Sequence, residues 1–254
     1  MDIQEIKDKR ELREARNELV VKSNVLLRKS RYTLTATEQK IIIYLIAQIK
    51  ATDKEFDFVE VEMKDFCKVA GIDLIGGEYK HIKDTIKNLS DKSWWIPTDK
   101  KTEVLFRWLQ TAKINKYDGT IKLKLGEELK PYLLELKENF TKYELINILA
   151  LKGRNAIRLY ELLKSWLYVG YWEVSIEQLK DILEIKNKYK EYRDFKNKML
   201  IPAIDEINKY TDLQVEVKTL RTGRKITTIY FDISVKQGYQ MVMPLLENQK
   251  ERLD

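Results

Sequence analysis

The sequence predicts an α+β chain in which one small domain occurs twice in tandem. The first observation is a repeated order of elements: an apolar helix, a short strand, a capped short helix, a basic helix and a β-hairpin occur at about 35–125 and again at about 154–235. The second is that the third helix is basic in both copies. The third is that a chain of 254 residues, 44% of them hydrophobic, can form two cores. This order of elements is that of a winged helix, so we predict two tandem winged-helix domains related by internal duplication.

The two copies match segment by segment. The helix, strand, capped helix and basic helix of the first copy contain residues 41–44, 58–61, 64–66 and 79–83. Their counterparts in the second copy are residues 157–160, 171–174, 178–180 and 192–196. We therefore predict a charged N-terminal arm at 1–30, a first winged-helix domain at 31–125, a linker helix and connector at 126–150, a second winged-helix domain at 151–236 and a C-terminal tail at 237–254.

The charge of the chain favours a polyanionic partner. The formal net charge is +7 and the pI is about 9.1, and each Lys or Arg placed on a phosphate releases condensed counterions. Because 40 acidic residues offset most of the 47 basic ones, the net charge is also compatible with a Lys-rich protein that binds no nucleic acid. The positions of the basic residues are therefore more informative than their number.

The counts of cysteine and histidine limit the chemistry. The single Cys67 excludes an intramolecular disulfide and a thiolate zinc cluster, and its apolar neighbours predict a buried thiol. His81 is the one histidine, so the His-x-His pair of metal-dependent tyrosine nickases is missing, and Asp84 stands where a tyrosine recombinase needs Arg. No Gly-x-x-x-x-Gly-Lys-Ser/Thr loop is present for nucleotide phosphates. We expect no enzyme activity, no cofactor and no metal, and only sites made of carboxylates alone are left open.

The N-terminal 18 residues mix acidic and basic side chains at helical spacing, which predicts a solvated arm with weak helicity. The first residues lack the basic and apolar regions of a signal peptide, and no apolar run approaches 18 residues. We therefore expect a cytoplasmic protein without a membrane partner.

The first domain begins with a helix whose start is marked in the sequence. Thr35 and Glu38 form the Ser/Thr-x-x-Glu pattern of a capping box. Residues 41–49, IIIYLIAQI, are apolar on nearly every side, which predicts a helix that is buried all round. Residues 56–63 alternate like a half-buried strand, and residues 64–71 predict a short helix that ends at Gly71.

The next helix, predicted at 79–89, has a buried row and a basic row. The buried row consists of Tyr79, Ile82, Ile86 and Leu89. The opposite row consists of Lys80, Lys83 and Lys87, whose spacing places three cations on a stripe about 10 Å long. A solvated charged face is the alternative explanation, but a third helix at this place in a winged helix favours contact with DNA.

An antiparallel pair of strands is predicted at 93–96 and 103–114, with a turn at Asp99, Lys100 and Lys101. We expect three tryptophans in this region to pack in the core or between the domains rather than to stack on bases, namely Trp94, Trp95 and Trp108.

The turn signal Asp118-Gly119 predicts a second hairpin, which pairs residues 104–115 with residues 120–125. Residues 126–136 then predict a linker helix that begins after Gly126 and is interrupted near Pro131.

The second domain repeats these signals. One side of its first helix is formed by Ala156, Leu159, Tyr160, Leu163, Trp166 and Leu167. Residues 171–174 supply the short strand, and Ser175 with Gln178 predicts a second capping box, at the start of a helix over 176–183.

The densest basic segment, KNKYKEYRDFKNK at 186–198, follows this helix. We expect aromatic side chains to anchor it to the core, namely Tyr189, Tyr192 and Phe195. We expect the outward side chains to contact DNA, namely Lys188, Lys190, Arg193, Lys196, Asn197 and Lys198. A plain solvated face is again the alternative. Because Pro202 is disfavoured inside a helix, the helix over 195–210 should kink or restart near it.

The last hairpin is predicted to have a basic tip. Residues 213–218 and 225–234 alternate as strands on either side of the sequence RTGRK at 221–225. A wing that lies against phosphates needs such cations, here Arg221, Arg224 and Lys225.

IRLYELLK at 157–164 and FKNKMLIPAIDEIN at 195–208 are the most specific phrases of a larger set. The set also includes VKSN at 21–24, LTATE at 34–38, FTKY at 140–143 and TDLQVEV at 211–217. Together, over about 20–235, they resemble the plasmid replication initiators that bind iterons. In that family the fold is two winged helices related by internal duplication, in agreement with the repeat.

The resemblance implies sequence-specific binding to directly repeated double-stranded sites at a plasmid origin. It further implies bending and opening of the duplex and recruitment of the host initiator and helicase. A homodimer in equilibrium with the monomer is implied as well, with the dimer repressing its own gene from an inverted repeat. Carried over by position, the helix with Arg193, Lys196, Asn197 and Lys198 would read the major groove for the second domain. The helix with Lys80, Lys83 and Lys87 would do so for the first.

Two other functions are compatible with parts of the sequence. A winged-helix transcriptional repressor would share the DNA chemistry without recruiting replication proteins. A nickase or recombinase that used one of the 14 tyrosines would form a covalent adduct with DNA. For the initiator, we expect the two basic helices to lie on a common side, so that one chain spans consecutive turns of duplex.

Overall fold

The computed structural model describes residues 19–71, 78–97 and 101–238. The expected arm before residue 19, the turn residues Asp99 and Lys100, and most of the expected tail lie outside this part of the chain. The chain divides into two compact units, of which the first ends at Ile146 and the second begins at Asn147.

The first unit starts with strand β1 (Leu19–Ser23) and helix α1 (Asn24–Lys29). It continues with α2 (Ala36–Ala47), β2 (Val59–Glu62), α3 (Met63–Ala70) and α4 (Glu78–Ser90). The strands β3 (Ser93–Pro97), β4 (Glu103–Arg107), β5 (Leu109–Asn115) and β6 (Thr120–Leu125) follow. A 3₁₀ turn (Glu127–Leu129), α5 (Lys130–Leu133) and β7 (Phe140–Glu144) come next, and α6 (Leu145–Leu149) leads into the second unit.

The second unit contains α7 (Arg154–Trp166), β8 (Tyr171–Ser175), α8 (Ile176–Ile182) and α9 (Tyr192–Phe195). A π-helical turn (Lys196–Leu200) joins α9 directly to α10 (Ile201–Tyr210). The strands β9 (Leu213–Thr222) and β10 (Lys225–Val235) form the final hairpin.

The two units have sheets of the same topology. In the first, β6 lies between β2 and β5, and in the second β10 lies between β8 and β9, with antiparallel pairing throughout. In each case the central strand is the last strand of the hairpin, flanked by its hairpin partner and by the short strand that precedes the second helix. This shared order supports the predicted duplication.

The start of α2 confirms the predicted capping box. The N–H of Glu38 donates to Thr35 Oγ1 at 3.2 Å, and the N–H of Thr35 donates to Glu38 Oε2 at 2.7 Å. The apolar residues that follow are each 1% exposed, namely Ile41, Ile42, Ile43, Leu45 and Ile46. The helix is therefore buried over most of its circumference, but Tyr44 and Ala47 are only half-buried, so the prediction of burial on every side is confirmed only in part.

The predicted capping box at Ser175 and Gln178 is confirmed only in part. Of its two bonds, the structure gives the one from the backbone N–H of Gln178 to the hydroxyl of Ser175. The N–H of Gln178 donates to Ser175 Oγ at 3.1 Å, which starts α8. Helix α7 is buried on more than the one predicted side, because Ile157 and Leu162 are enclosed as well as Leu159.

The prediction of one continuous strand over 103–114 is wrong. It divides at Trp108, so that β4 pairs with β3 while β5 pairs with β6 in the main sheet. The indole of Trp108 is buried, with its ring centroid 4.4 Å from that of Trp94. Trp95 is 57% exposed, so of the two predicted alternatives the core position is wrong for it. Successive residues of a strand point to opposite faces, and Trp94 occupies the buried face of β3.

The predicted arm and linker are both partly wrong. Five residues of β1 pair with β7, from Leu19 opposite Glu144 to Ser23 opposite Phe140. Residues 19–30 of the expected arm and 126–146 of the expected linker therefore belong to the first unit. The helix predicted at 126–136 is reduced to the 3₁₀ turn and α5, with Pro131 in the first turn, where its missing N–H breaks no helical hydrogen bond.

The remaining boundaries differ by a few residues. The strand predicted at 56–63 is β2, four residues long. The helix predicted at 64–71 is α3, which ends where Gly71 takes the left-handed conformation with φ +67°.

Candidate nucleic-acid interface

Helix α4 presents the predicted basic row. Lys80, Lys83 and Lys87 are exposed, while Ile82 and Leu89 are buried on the opposite side. Lys87 also forms an ion pair with Asp91 one turn later, at 3.1 Å. This pair is exposed and contributes little to stability, so it leaves Lys87 available to a phosphate.

The wing of the first unit is the β5–β6 hairpin, whose turn is held by side-chain hydrogen bonds. Asn115 Nδ2 donates to Asp118 Oδ2 at 2.5 Å, and Thr120 donates its hydroxyl at 2.6 Å and its N–H at 3.0 Å to Asp118 Oδ1. The hydroxyl of Thr120 first, and then the N–H of Thr120 and the charge of Lys122, hold the pKa of Asp118 below its ordinary value. Gly119 takes φ +68°, as the turn signal predicted.

This first wing carries polar groups that sequence reasoning missed. Lys116 Nζ lies 4.6 Å from the ring centroid of Tyr79, which joins the wing turn to α4. Tyr117 is fully exposed at the tip, and Lys113 is exposed on β5. Cations stand on both sides of Asp118-Gly119 in the sequence, so a basic wing could have been predicted there as well as a turn.

The basic segment of the second unit is not helical throughout. Lys188 and Lys190 are exposed but lie in the irregular chain before α9, which begins at Tyr192. Arg193 lies in α9, and Lys196, Asn197 and Lys198 lie in the π-helical turn. All four are exposed, and Lys198 pairs with Asp194 at 3.1 Å.

Aromatic anchors hold this segment, as predicted. Phe195 is 0% exposed, and its ring centroid lies 6.2 Å from that of Tyr189 and 6.4 Å from that of Tyr192. Lys180 Nζ donates to the carbonyl of Tyr189 at 2.5 Å and lies 5.3 Å from the Phe195 ring centroid. Burial raises the pKa of Tyr192 above its ordinary value. The outward cations are therefore carried by a chain whose inner side is fixed.

Helix α10 is fixed to the rest of its unit by hydrogen bonds. Glu206 accepts the N–H groups of Lys152 and Gly153, the latter at 3.0 Å from Oε1, and so joins α10 to the residues directly before α7. Asn208 exchanges two bonds with the backbone of Val215 on β9, at 2.9 and 2.8 Å.

The wing of the second unit is the β9–β10 hairpin, and its tip is exposed and basic as predicted. Arg221, Arg224 and Lys225 are all exposed. Thr222 is paired with Lys225, so the loop consists of Gly223 and Arg224, with Gly223 at φ +61° in the first loop position. Strand β9 runs four residues further than the predicted end at 218, which extends the paired hairpin as far as the cations.

Three further observations on the described residues concern metal binding, the single histidine and cysteine, and membranes. Within ranges 19–71, 78–97 and 101–238, no group of three or more His, Cys, Asp or Glu side chains could hold a metal ion. His81 is exposed, and Cys67 is buried as predicted. No helix in the same ranges is long and apolar enough to cross a membrane.

Comparison with known proteins places both units in one family. Residues 19–164 match the family described as initiator replication protein, WH1, and residues 175–233 match that described as initiator Rep protein, WH2. The chain is 26% identical over 244 residues to a replication initiation protein of Escherichia coli, a match that covers 92% of this chain and 75% of that protein. It is 28% identical over 138 residues to the PI protein of Escherichia coli, covering 47% of this chain and 45% of that protein.

A solved structure agrees in fold. It is the crystal structure of Pi initiator protein in complex with iteron DNA, with a TM-score of 0.70 and 21% sequence identity. The match covers 87% of this chain and 99% of that chain. These matches confirm the α+β class, the two winged-helix domains and the resemblance to plasmid replication initiators. The chain belongs to the initiator replication protein family.

Proposed function

We propose that this protein is a double-stranded DNA-binding initiator of plasmid replication, which binds direct repeats at its origin through both winged-helix domains. The observation that carries the proposal is that both units expose cations on the third helix and beside the tip of the wing. Membership of the family supports the initiator role, and a relative of the same fold was crystallised with iteron DNA. Two basic helices per chain would suit directly repeated sites better than a single one.

The exposed groups divide by chemistry into two roles. Arg193 and Asn197 are the residues we assign to base reading, because Arg pairs with guanine and Asn with adenine in two-bond geometries. The lysines of α4 and the π-helical turn, with the tip of the second wing, are assigned to phosphates. Lys188 and Lys190, in the chain before α9, are assigned to the flanking phosphates.

The proposal needs no covalent chemistry from the protein. Binding energy would bend and open the duplex, and the host initiator and helicase would then load on the open strand. We further propose that a homodimer, in equilibrium with the monomer, represses the gene from an inverted repeat.

The initiator role is tested in the cell. A plasmid that carries the gene and its origin should replicate, a frameshift in the gene should abolish replication, and the protein supplied from a second plasmid should restore it. Replication of the frameshifted plasmid would reject the initiator role and leave a winged-helix repressor. A variant with Lys80, Lys83 and Lys87 changed to Ala should fail to restore replication, while Lys137→Ala, which removes an exposed lysine far from both wings in sequence, should succeed.

The absence of strand cleavage is tested separately. Supercoiled origin plasmid incubated with the protein and Mg²⁺ should yield neither relaxed circles nor covalent protein–DNA adducts. Either product would assign the protein to the nickases or recombinases.

A further inference from the structure

The sheet of the second unit has two faces of different character. Alternate residues of its three strands are buried on the face where α7, α8 and α10 pack, among them Trp172, Val215 and Phe231. The residues between them point to the opposite face, which we call the outer face. Its central part consists of Tyr171, Glu173, Glu216, Lys218, Tyr230 and Asp232.

Three exposed carboxylates are brought together on the outer face. Asp232 lies directly opposite Glu216 in the pairing of β10 with β9, and Glu173 lies opposite the preceding outer residue of β10, Tyr230. Like charges that lie directly opposite each other destabilise a sheet. Lys218 pairs with Asp232 at 3.8 Å, but this exposed pair compensates little. Within the part of the chain that the structure describes, Glu173 and Glu216 form no ion pair.

Two stacked tyrosines lie beside these carboxylates. The ring centroids of Tyr171 and Tyr230 are 5.4 Å apart with an interplanar angle of 12°, and Tyr171 lies opposite Asp232 in the pairing of β8 with β10. Tyr171 is 46% exposed, and Tyr168 and Val169 are exposed in the turn directly before β8. An aromatic ring face attracts a cation, and a guanidinium can stack on it while donating to carboxylates. The outer face therefore has the groups that bind an arginine side chain.

The corresponding face of the first unit shows that the fold does not require this arrangement. There the residues of β5 and β6 on that face include Lys113, Lys122 and Lys124. Lys122 lies opposite Lys113 on one side, but Glu60 lies opposite it on the other and pairs with it at 2.9 Å. The acidic face thus belongs to the second unit, in a chain whose net charge is +7.

The chemistry of the outer face selects among possible ligands. Its carboxylates repel the phosphates of DNA. They do not form a metal site either, because no group of acidic side chains within 19–71, 78–97 and 101–238 could hold a metal ion. Since α8 and α10 pack on the opposite face of the sheet, DNA held by the third helix leaves the outer face uncovered. A cationic protein segment is the complement that remains.

We propose that the outer face is a docking site for an arginine-bearing segment of a host replication protein. The arginine stacks on Tyr171 and donates to Glu216 and Asp232, which removes the repulsion between these two carboxylates. Apolar neighbours of the arginine pack on the exposed rings. The inference rests on the proposed function and adds to it the surface by which the second unit recruits its partner.

The first test measures binding of a short fluorescent peptide in which Arg alternates with Leu. The test variant is the full chain with Glu216→Gln and Asp232→Asn together. The matched control has Glu177→Gln and Asp205→Asn, which neutralise two exposed carboxylates on helices of the same unit. The peptide should bind the parent and the control alike and the test variant about tenfold or more weakly. Equal binding to the parent and the test variant would overturn the proposal, as would equal binding of a peptide with Glu in place of Arg.

The fold and the DNA contact of the test variant are measured in parallel. It should melt no lower than the parent, because a like-charge pair is removed, and should bind the origin repeat within about threefold of the parent. A larger loss of affinity for the repeat would show that the outer face contacts DNA, against the proposal. If the test variant melts lower, Glu173→Gln alone decides, with an expected loss of peptide affinity of about threefold or more.

The second test uses the host proteins. The purified host initiator or the purified host helicase should bind the parent on the origin repeat, and should bind the test variant about tenfold or more weakly. Sedimentation should find the same equilibrium of monomer and dimer in both. A test variant that binds both host proteins as the parent does would overturn the proposal. A shift of the test variant toward monomer would overturn it too, since the outer face would then hold a second copy of the chain.

Replication of the frameshifted plasmid separates this inference from the proposed function. The parent and the control, supplied from a second plasmid, should restore replication, whereas the test variant should not. Restoration by the test variant to the level of the parent would overturn the docking site and leave the initiator role intact. Failure of the parent itself would reject the initiator role, and the docking site with it.

Discussion

The two units have the same sheet topology but different candidate surfaces for DNA. In the first, α4 is a regular helix of 13 residues whose cations are spaced three and four apart, and the wing is short. In the second, the corresponding helix contains the π-helical turn before Pro202, and the wing strands are 10 and 11 residues long. The first unit also has the β3–β4 hairpin between its third helix and its wing, whereas the described residues of the second unit pass from α10 directly to β9.

This difference indicates which parts of a winged helix are constrained by folding. The central strand, the short strand before the second helix and the buried helix are alike in both units because they form the core. The outer side of the third helix and the wing tip carry exposed polar residues, so their geometry can change without loss of buried area. We expect substitutions of buried residues, including those on the inner side of the third helix, to have the largest effects and substitutions at the exposed tips the smallest.

The largest effect on stability should come from the residue that anchors the third helix of the second unit. Phe195→Ala removes a fully buried ring that contacts two tyrosines, and should lower the free energy of unfolding by about 3–5 kcal/mol. Ile82→Ala, at the buried row of α4, should cost about 2–4 kcal/mol. Urea denaturation measures both, with Tyr192→Phe as a nearly neutral control. A loss below about 1 kcal/mol for Phe195→Ala would mean that this ring does not hold the helix.

The next effect separates a reading helix from a wing. Arg193→Ala should weaken binding to the origin repeat by about 1–3 kcal/mol and leave random duplex less affected, because a base contact is lost. Arg224→Ala, at the tip of the second wing, should weaken both DNAs alike and reduce the slope of log K against log salt by about 1. Titration at several salt concentrations measures both quantities. Equal losses of affinity and equal salt slopes for the two variants would show that the third helix and the wing do not differ in how they contact DNA.

A smaller effect compares the two helix caps. Thr35 takes part in two reciprocal hydrogen bonds and Ser175 in one. Each single change to Ala removes one hydroxyl bond and should cost about 0.5–2 kcal/mol of stability, whereas Thr35→Ala combined with Glu38→Ala removes both reciprocal bonds and should cost more. Denaturation of Thr35→Ser and Ser175→Thr, which keep the hydroxyl, provides the control. A larger cost for Ser175→Ala than for the double change would contradict the comparison.

The smallest effect concerns the turn of the first wing. The pKa of Asp118 is held below its ordinary value by the hydroxyl of Thr120. A carboxylate whose folded-state pKa is lowered contributes stability above its unfolded-state pKa, and that contribution is lost as pH falls through the folded-state pKa. Carboxyl carbon NMR of the folded protein should find Asp118 titrating below the ordinary range for Asp, and Thr120→Val should move it upward. A titration at or above the ordinary value would show that the turn is not held in this way.

Local signals in the sequence predicted much of this structure. The capping box at Thr35 and Glu38, the stop at Gly71 and the turn at Gly119 depend on residues within a few positions of one another, so their chemistry is visible in the sequence. The alternation of β8 and β10 predicted a sheet for the same reason.

The features that were not predicted depend on contacts between distant residues. Pairing of β1 with β7 joins segments about 120 positions apart. No local pattern near Leu19 predicts which strand it pairs with. The break at Trp108 follows from the burial of its indole against Trp94. In the candidate interface, the exposed cations were predicted correctly as exposed, but the π-helical turn required knowing which hydrogen bonds accompany Pro202.

The central claim is that each unit supplies its own third helix to DNA, and missing-contact footprinting on two tandem origin repeats tests it most directly. Two variants are compared with the parent, one with Lys80, Lys83 and Lys87 changed to Ala and one with Arg193, Lys196 and Lys198 changed to Ala. We predict that each variant loses protection over a different segment of every repeat, the two segments lying about one helical turn apart. Loss of the same segment by both variants, or full protection by either one, would contradict the claim.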